Sequence, residues 1–225
     1  APPEQVTATN GSFALAALYP GLDVVGVDVS ETMVELAREA HVLPNLSFVV
    51  GDIARPVFEE GSLDGIFDSS VLHHVTTFNG YRYQEAADAL AVQVRALKRD
   101  GALIVRDFVA PPEGEVWLDL PDVAVGEGGG ADAGGWDPDA VDDGVGGVSP
   151  AMLFERFSRE FRPLSEAPGF PLHRVGVVPS GLAARVLRYR TTHRIAVEFV
   201  LRKDYRRDWG TEVKEEYTYF SQPEF

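Results

Sequence analysis

The feature that most constrains this chain is the alternation, over its first 110 residues, of short apolar runs with stretches of helical pattern. Asp23-Val-Val-Gly-Val-Asp-Val29 is too short and too uniformly apolar for an amphipathic helix, and reads as a buried parallel strand. Ser30 follows as an N-cap with Glu31 in the first turn, so a helix is predicted there, with Met33, Val34, Leu36 and Ala37 on its apolar side. Leu46-Ser-Phe-Val-Val50 is a second strand, stopped by Gly51-Asp52, and Leu63-Asp-Gly-Ile-Phe-Asp68 is a third. Gln84–Lys98 carries Ala86, Leu90, Val94 and Leu97 at helical spacing. Asp100-Gly101 is a turn signal before a fourth strand, Ala102–Phe108. Strands alternating with helices imply right-handed crossovers. The expected fold is therefore α/β, a Rossmann-like doubly wound, mostly parallel sheet with helices on both faces.

Charge divides the chain into three zones. Residues 1–110 hold 15 acids and 7 bases; residues 111–150 hold 10 acids and no base; residues 151–225 hold 10 acids and 13 bases. The expected organisation is a core at 1–110, an acidic glycine-rich loop or linker at 111–149 and a mainly helical cap or appendage at 150–225. The middle zone has too few apolar residues to bury a core. Asp137, Asp139, Asp142 and Asp143 raise a calcium loop as an alternative, but their spacing is not that of an EF-hand. In the last zone Ser149-Pro150 opens a helix with Met152, Leu153, Phe154, Phe157 and Phe161 on one side, and Ile195–Leu201 reads as another. The net charge of −15 argues against generic nucleic-acid binding. The arginines at 185–207 leave an anionic-substrate cap as the sharper reading and pairing with the chain's own acids as the plainer one.

The absence of cysteine excludes disulfides, thiolate metal sites and thiol nucleophiles, which fits a cytoplasmic protein. No apolar run reaches membrane-spanning length, and Ala1-Pro-Pro-Glu4 has no signal-peptide character, so no membrane partner is expected.

In sheets of this kind ligands bind at the carboxyl ends of the strands. Asp28, Asp52 and Asp68 end three successive strands, the last followed by Ser69 and Ser70 and then by Val-Leu-His73-His74. One acid at a strand end is ordinarily a turn former or cap; three in succession suggest a site. Asp28 could accept from a ribose diol, and Asp52 from an exocyclic amine.

These residues make the chain resemble a class I S-adenosylmethionine-dependent methyltransferase over about residues 7–110. The resembling segments are Asn10–Pro20, Val24–Ser30, Val50-Gly-Asp-Ile53, Asp64–His74 and Leu97-Lys-Arg-Asp-Gly101. The resemblance implies S-adenosyl-L-methionine as cofactor. It places Asp28 on the ribose hydroxyls, Val29 and Met33 against adenine, and Asp52 and Ile53 at the adenine amine. Asn10 and Gly11 are implied as the remnant of the glycine-rich first loop beside the methionine part, and Ser69 and Ser70 as neighbours of the sulfonium. His73 and His74 would sit where a small or medium-sized acceptor approaches, as candidate catalytic bases.

The family's first loop has three glycines where Thr7-Ala-Thr-Asn-Gly11 has one, and Ala1–Val6, with two prolines, is a poor central strand. A non-catalytic binding or scaffold domain of the same fold therefore stays open. A nicotinamide-dependent oxidoreductase is a further alternative, but it needs a Gly-x-Gly-x-x-Gly pattern that is missing. Ser221-Gln-Pro-Glu224 has the signature of a helix opening, which suggests a helix body beyond this sequence. No strand pair is evident for the antiparallel hairpin that closes the family's sheet, so that hairpin is expected beyond Phe225.

Overall fold

A computed structural model describes residues 7–124, 144–179 and 185–225. The chain forms two compact units, Ala1–Asp107 and Phe108–Phe225. The four aspartates of the alternative calcium loop, and the prolines of the N-terminal segment, lie outside the described residues.

The N-terminal unit runs α1 (Thr7–Leu18), β1 (Val24–Asp28), α2 (Glu31–Ala40), β2 (Leu46–Val50), β3 (Leu63–Ser69), α3 (Leu72–Thr77), α4 (Tyr83–Ala96) and β4 (Leu97–Arg106). Strands β1 and β2 pair in parallel, from Val24 opposite Leu46 to Asp28 opposite Val50. Strands β3 and β4 form a second parallel pair, ending with Ser69 opposite Arg106. Among the described residues the two pairs are not hydrogen-bonded to each other. The fold is thus mixed α/β with parallel pairs joined by helical crossovers. Among the described residues, the single doubly wound sheet expected from the sequence is present as two separate parallel pairs.

Local chemistry explains the elements. Ser30 caps α2 by accepting from Met33 N–H at 3.3 Å. Helix α2 buries Val34 and Ala37 against Phe48 and Leu46 of β2. Gly26 lets β1 approach this layer: a Cβ there would lie 2.5 Å from Phe48 Cδ1. Asn45 donates to Ala16 O at 3.0 Å and to Leu22 O at 2.8 Å, which ties the end of α1 to the start of β2. Asp100-Gly101, expected as a turn, instead lies inside β4. Leu63 pairs with Leu97 but Gly65 pairs with Ala102, so the extra residues are absorbed as an irregularity within the strand.

The C-terminal unit runs β5 (Glu115–Pro121), α5 (Pro150–Glu160), β6 (His173–Val178), β7 (Val186–Thr192), α6 (His193–Arg202) and α7 (Trp209–Glu212). The expected helical appendage is corrected here: the strands form an antiparallel sheet in the order β5-β7-β6. Part of the supposed linker is strand β5. An antiparallel pair also exists at His173–Thr192, where none was read from the sequence, and it joins β5 rather than the parallel pairs. The signal was available but weak. Val-Leu-Arg-Tyr-Arg alternates with period two, whereas the interrupted His-Arg-Val-Gly-Val-Val has a register shift at Gly176.

One face of this sheet is core. Leu120, Leu187 and Tyr189 pack with Leu153, Phe154 and Phe157 of α5, Phe199 of α6 and Trp209 of α7. The other face carries Trp117, under the Arg188 guanidinium at 5.6 Å, with Arg188 donating to Asp119 at 2.7 and 2.6 Å. The two helices expected here do form, with Ser149 accepting from Met152 N–H and Thr192 from Ile195 N–H as N-caps. At the other end of the unit Ser221 N–H donates to Glu224 Oε2 at 2.7 Å, so the helix-opening signature closes as a capping box on a single 3₁₀ turn, Gln222–Glu224. No helix among the described residues is long and apolar enough to cross a membrane.

Candidate functional site

The parallel pairing brings Asp28 and Asp52 to the same end of the first strand pair. Gly51 N–H donates to Asp28 O at 2.8 Å, which places Asp52 immediately beside the end of β1. Gly51 is required by this approach: a Cβ would lie 2.9 Å from Val57 Cγ2 and 3.1 Å from Val27 Cγ1. Asp28 Oδ1 accepts from Ser30 N–H at 2.8 Å, which orients the carboxylate. Among the described residues its second oxygen accepts nothing, so it suits a ligand hydroxyl. Asp52 is more occupied. Its Oδ1 accepts from Ala54 N–H at 2.9 Å in an Asx turn, and its Oδ2 from the exposed Arg55 at 3.3 Å. Val29 is 74% exposed beside them, and Met33 and Ile53 are half-buried.

Asn10 and Gly11 depart from the expectation. They lie inside α1, not in a loop after a strand, and open space surrounds the Gly11 Cα where a Cβ would point. The segment expected as a loop remnant is helix in this structure.

The second strand pair gathers the remaining candidates. Ser70 has φ of 53°, the left-handed region, at the sharp turn from β3 into α3. Its N–H donates to Arg106 O at 2.7 Å. Arg106 Nη1 donates to Ser69 Oγ at 3.0 Å and lies 3.4 Å from Ser70 Oγ, so a cation from β4 covers both hydroxyls. His74 is exposed. His73 is buried, its side chain 3% accessible, and its Nδ1 lies 2.8 Å from Asp107 Oδ1. The other oxygen of Asp107 accepts from Leu72 N–H at 2.9 Å and His73 N–H at 3.2 Å. One carboxylate just beyond β4 thus caps the first turn of α3 and holds the imidazole that this turn carries.

Asp107 was not read from the sequence as a site residue. The signal was the same acid at a strand end that selected Asp28, Asp52 and Asp68, applied to the fourth strand. Asp68, by contrast, does not face outward. It is buried toward Gln93 of α4, and its Oδ2 has no hydrogen-bond partner. Burial raises its pKa, the Gln93 amide offsets part of the rise, and the charge of Asp107 adds to it. A carboxyl raised in the folded state costs stability once the unfolded chain has ionised. The cost is absent below the ordinary value of 3.8 and grows as the pH rises above it. Asp68→Asn is therefore expected to raise Tm at pH 7 and to leave it nearly unchanged at pH 3.5. Equal shifts in the two thermal melts would show that the carboxyl is not perturbed.

With this geometry in view, the relatives can be placed. A family model described as "Methyltransferase domain" matches residues 5–105. Residues 5–105 form a class I S-adenosylmethionine-dependent methyltransferase domain. This stretch is 34% identical over 107 residues to the demethylmenaquinone methyltransferase of Beutenbergia cavernae, covering 48% of this chain and 40% of that protein. An uncharacterized 37.1 kDa protein in transposon TN4556 of Streptomyces fradiae is also 34% identical, over 110 residues, covering 48% of this chain and 29% of that one. The chain thus spans less than half the length of these relatives. Among solved structures, a SAM dependent methyltransferase from Aquifex aeolicus is similar at 14% identity and a TM-score of 0.33, covering 83% of this chain and 78% of that one.

Membership in this family implies use of S-adenosylmethionine. The oriented Asp28, with its outward oxygen beside the apolar Val29 and Met33, fits the nucleoside part of that molecule.

Proposed function

We propose that this domain transfers a methyl group from S-adenosylmethionine to a nucleophile on a small or medium-sized acceptor. The observation that carries the reading is the side-by-side placement of Asp28 and Asp52 at the carboxyl ends of a parallel pair within a methyltransferase-family domain. The cofactor supplies a methyl carbon already activated by its sulfonium, so the chain's work is positioning and exclusion of water. Asp28 holds the ribose hydroxyls through the oxygen that Ser30 leaves open. Val29, Met33 and Ile53 flank the adenine, and Asp52 accepts from its amine while keeping its Asx turn. Ser69 and Ser70, fixed by Arg106, border the reacting end, and His73 and His74 start the helix on the acceptor side.

Isothermal titration calorimetry with S-adenosylhomocysteine tests this directly. Asp28→Ala removes acceptors for two hydroxyls. At roughly 1 kcal/mol per hydrogen bond, affinity should fall about 10- to 30-fold. An unchanged affinity would remove Asp28 from the pocket. No binding by folded wild-type protein would favour the scaffold reading.

A further inference from the structure

We propose that Arg106 recognises an anionic group, a carboxylate or a phosphate, on the methyl acceptor. The inference rests on the methyltransferase reading above and narrows its substrate class to acceptors that carry negative charge.

Two serines hold the guanidinium. Arg106 is exposed at the carboxyl end of β4, opposite Ser69 at the end of β3. Its Nη1 donates to Ser69 Oγ at 3.0 Å and lies 3.4 Å from Ser70 Oγ. The backbone fixes the serines in turn: Ser70 N–H donates to Arg106 O at 2.7 Å, with Ser70 in the left-handed region at φ of 53°. That conformation is unfavourable for a residue with a Cβ, and such strain gathers at binding sites. The opposite edge of the guanidinium is open. Among the described residues Nε and Nη2 of Arg106 donate to nothing, and no carboxylate lies within ion-pair distance. These two nitrogens carry the parallel N–H pair that grips a carboxylate or phosphate through two oxygens at once. Arg55, which follows β2, is different: it already pairs with Asp52 at 3.3 Å. Arg106 rests on neutral hydroxyls, which orient it and leave its charge uncompensated.

The location selects the acceptor. Ligands of parallel strands lie at their carboxyl ends, and Ser69 and Ser70 border the reacting end in the reading above. The sulfonium of the cofactor is a cation. A guanidinium near it raises the energy of the site unless an anion arrives with the second substrate. Binding of that anion at the fork orients the acceptor's nucleophile toward the methyl carbon.

Proton–nitrogen NMR of the full chain tests this on the Nε–H signal of Arg106, assigned by its loss in Arg106→Gln. Arg99 is the internal control, since it is also exposed on β4 and has no hydrogen bond or ion pair from its side chain among the described residues. Protein saturated with S-adenosylhomocysteine is titrated with benzoate, with phenyl phosphate and, as a neutral match, with benzamide. We expect benzoate or phenyl phosphate to shift the Arg106 signal with an affinity about tenfold or more above that read at Arg99, and benzamide to leave it in place. The tighter of the two anions tells a carboxylate acceptor from a phosphate one. In Arg106→Gln the same titrations, followed on the Ser70 backbone N–H, should weaken about tenfold. Equal affinities at Arg99 and Arg106 mean ordinary surface ion pairing and overturn the proposal, as does the absence of a shift with either anion. A shift produced by S-adenosylhomocysteine but not by methylthioadenosine, which lacks the amino-acid part, gives the fork to the cofactor's own carboxylate and also overturns it. An anion preference at Arg106 in a protein that does not bind S-adenosylhomocysteine would instead overturn the methyltransferase reading and, with it, the acceptor role assigned here.

Discussion

Arg202→Met is expected to destabilise the C-terminal unit by about 3–5 kcal/mol, the cost of leaving a buried charge without its partner. Arg202 and Glu198, one turn apart on α6, are both fully buried. The Arg202 guanidinium donates to the Glu198 carboxylate, to Glu212 O at 2.7 Å and to Glu215 O at 2.8 Å. Its Cζ lies 4.5 Å from the Tyr217 ring centroid and 4.9 Å from that of Phe161. Glu198 in turn accepts from Tyr217 N–H at 3.2 Å and Thr218 N–H at 2.7 Å. The stretch 213–218 has no helix or strand of its own, so this ion pair supplies partners that regular structure would otherwise provide. Methionine fills a similar volume, which isolates the electrostatic loss from a cavity. Urea unfolding followed by the fluorescence of the buried Trp209 would measure it. The double variant Glu198→Leu with Arg202→Met should recover part of the loss, because no lone charge remains. A loss below about 1 kcal/mol for Arg202→Met would mean that water reaches the pair and screens it.

Gly169→Ala is expected to cost about 2–4 kcal/mol, from a left-handed residue gaining a Cβ and from overpacking together. Gly169 has φ of 76°, and a Cβ there would lie 2.6 Å from Ser158 O and 3.2 Å from Arg159 O. These are backbone atoms of α5 and cannot rotate away. Gly169 N–H also donates to Phe161 O at 2.7 Å, and Phe170 N–H to Ser158 O at 2.8 Å. These two bonds satisfy carbonyls near the end of the helix and seat Phe170 against Phe154, at 5.8 Å between ring centroids. Shifting Gly169 to relieve the clash would break both. Thermal melts of the variant should show a fall in Tm of several degrees. Gly147→Ala is a useful control, since a Cβ there meets nothing within 4 Å. Equal effects at the two positions would show that the contact with α5 is not what matters.

The strands of the first 110 residues were legible because each is a short apolar run closed by a turn or an acid. The helices were legible where a cap preceded a periodic face, as with Ser30 before α2 and Ser149 before α5. The placement of Asp28 and Asp52 at strand ends followed from the same local pattern. What failed was anything that depended on a partner distant in the chain. Strands β5, β6 and β7 have half-exposed, charge-rich sequences, and they become strands because pairing and the aromatic layer of α5 and α6 hold them. The plainer reading of arginines 188, 194 and 202, pairing with the chain's own acids, holds, but their particular partners Asp119, Glu216 and Glu198 were not legible. The union of His73 with Asp107, separated by 34 residues, was likewise out of reach. Hydrophobic period and capping act within a few residues, so a sequence determines by itself where helices and parallel strands begin and end. Which charge meets which depends on strand register and helix placement, and only the tertiary structure decides that.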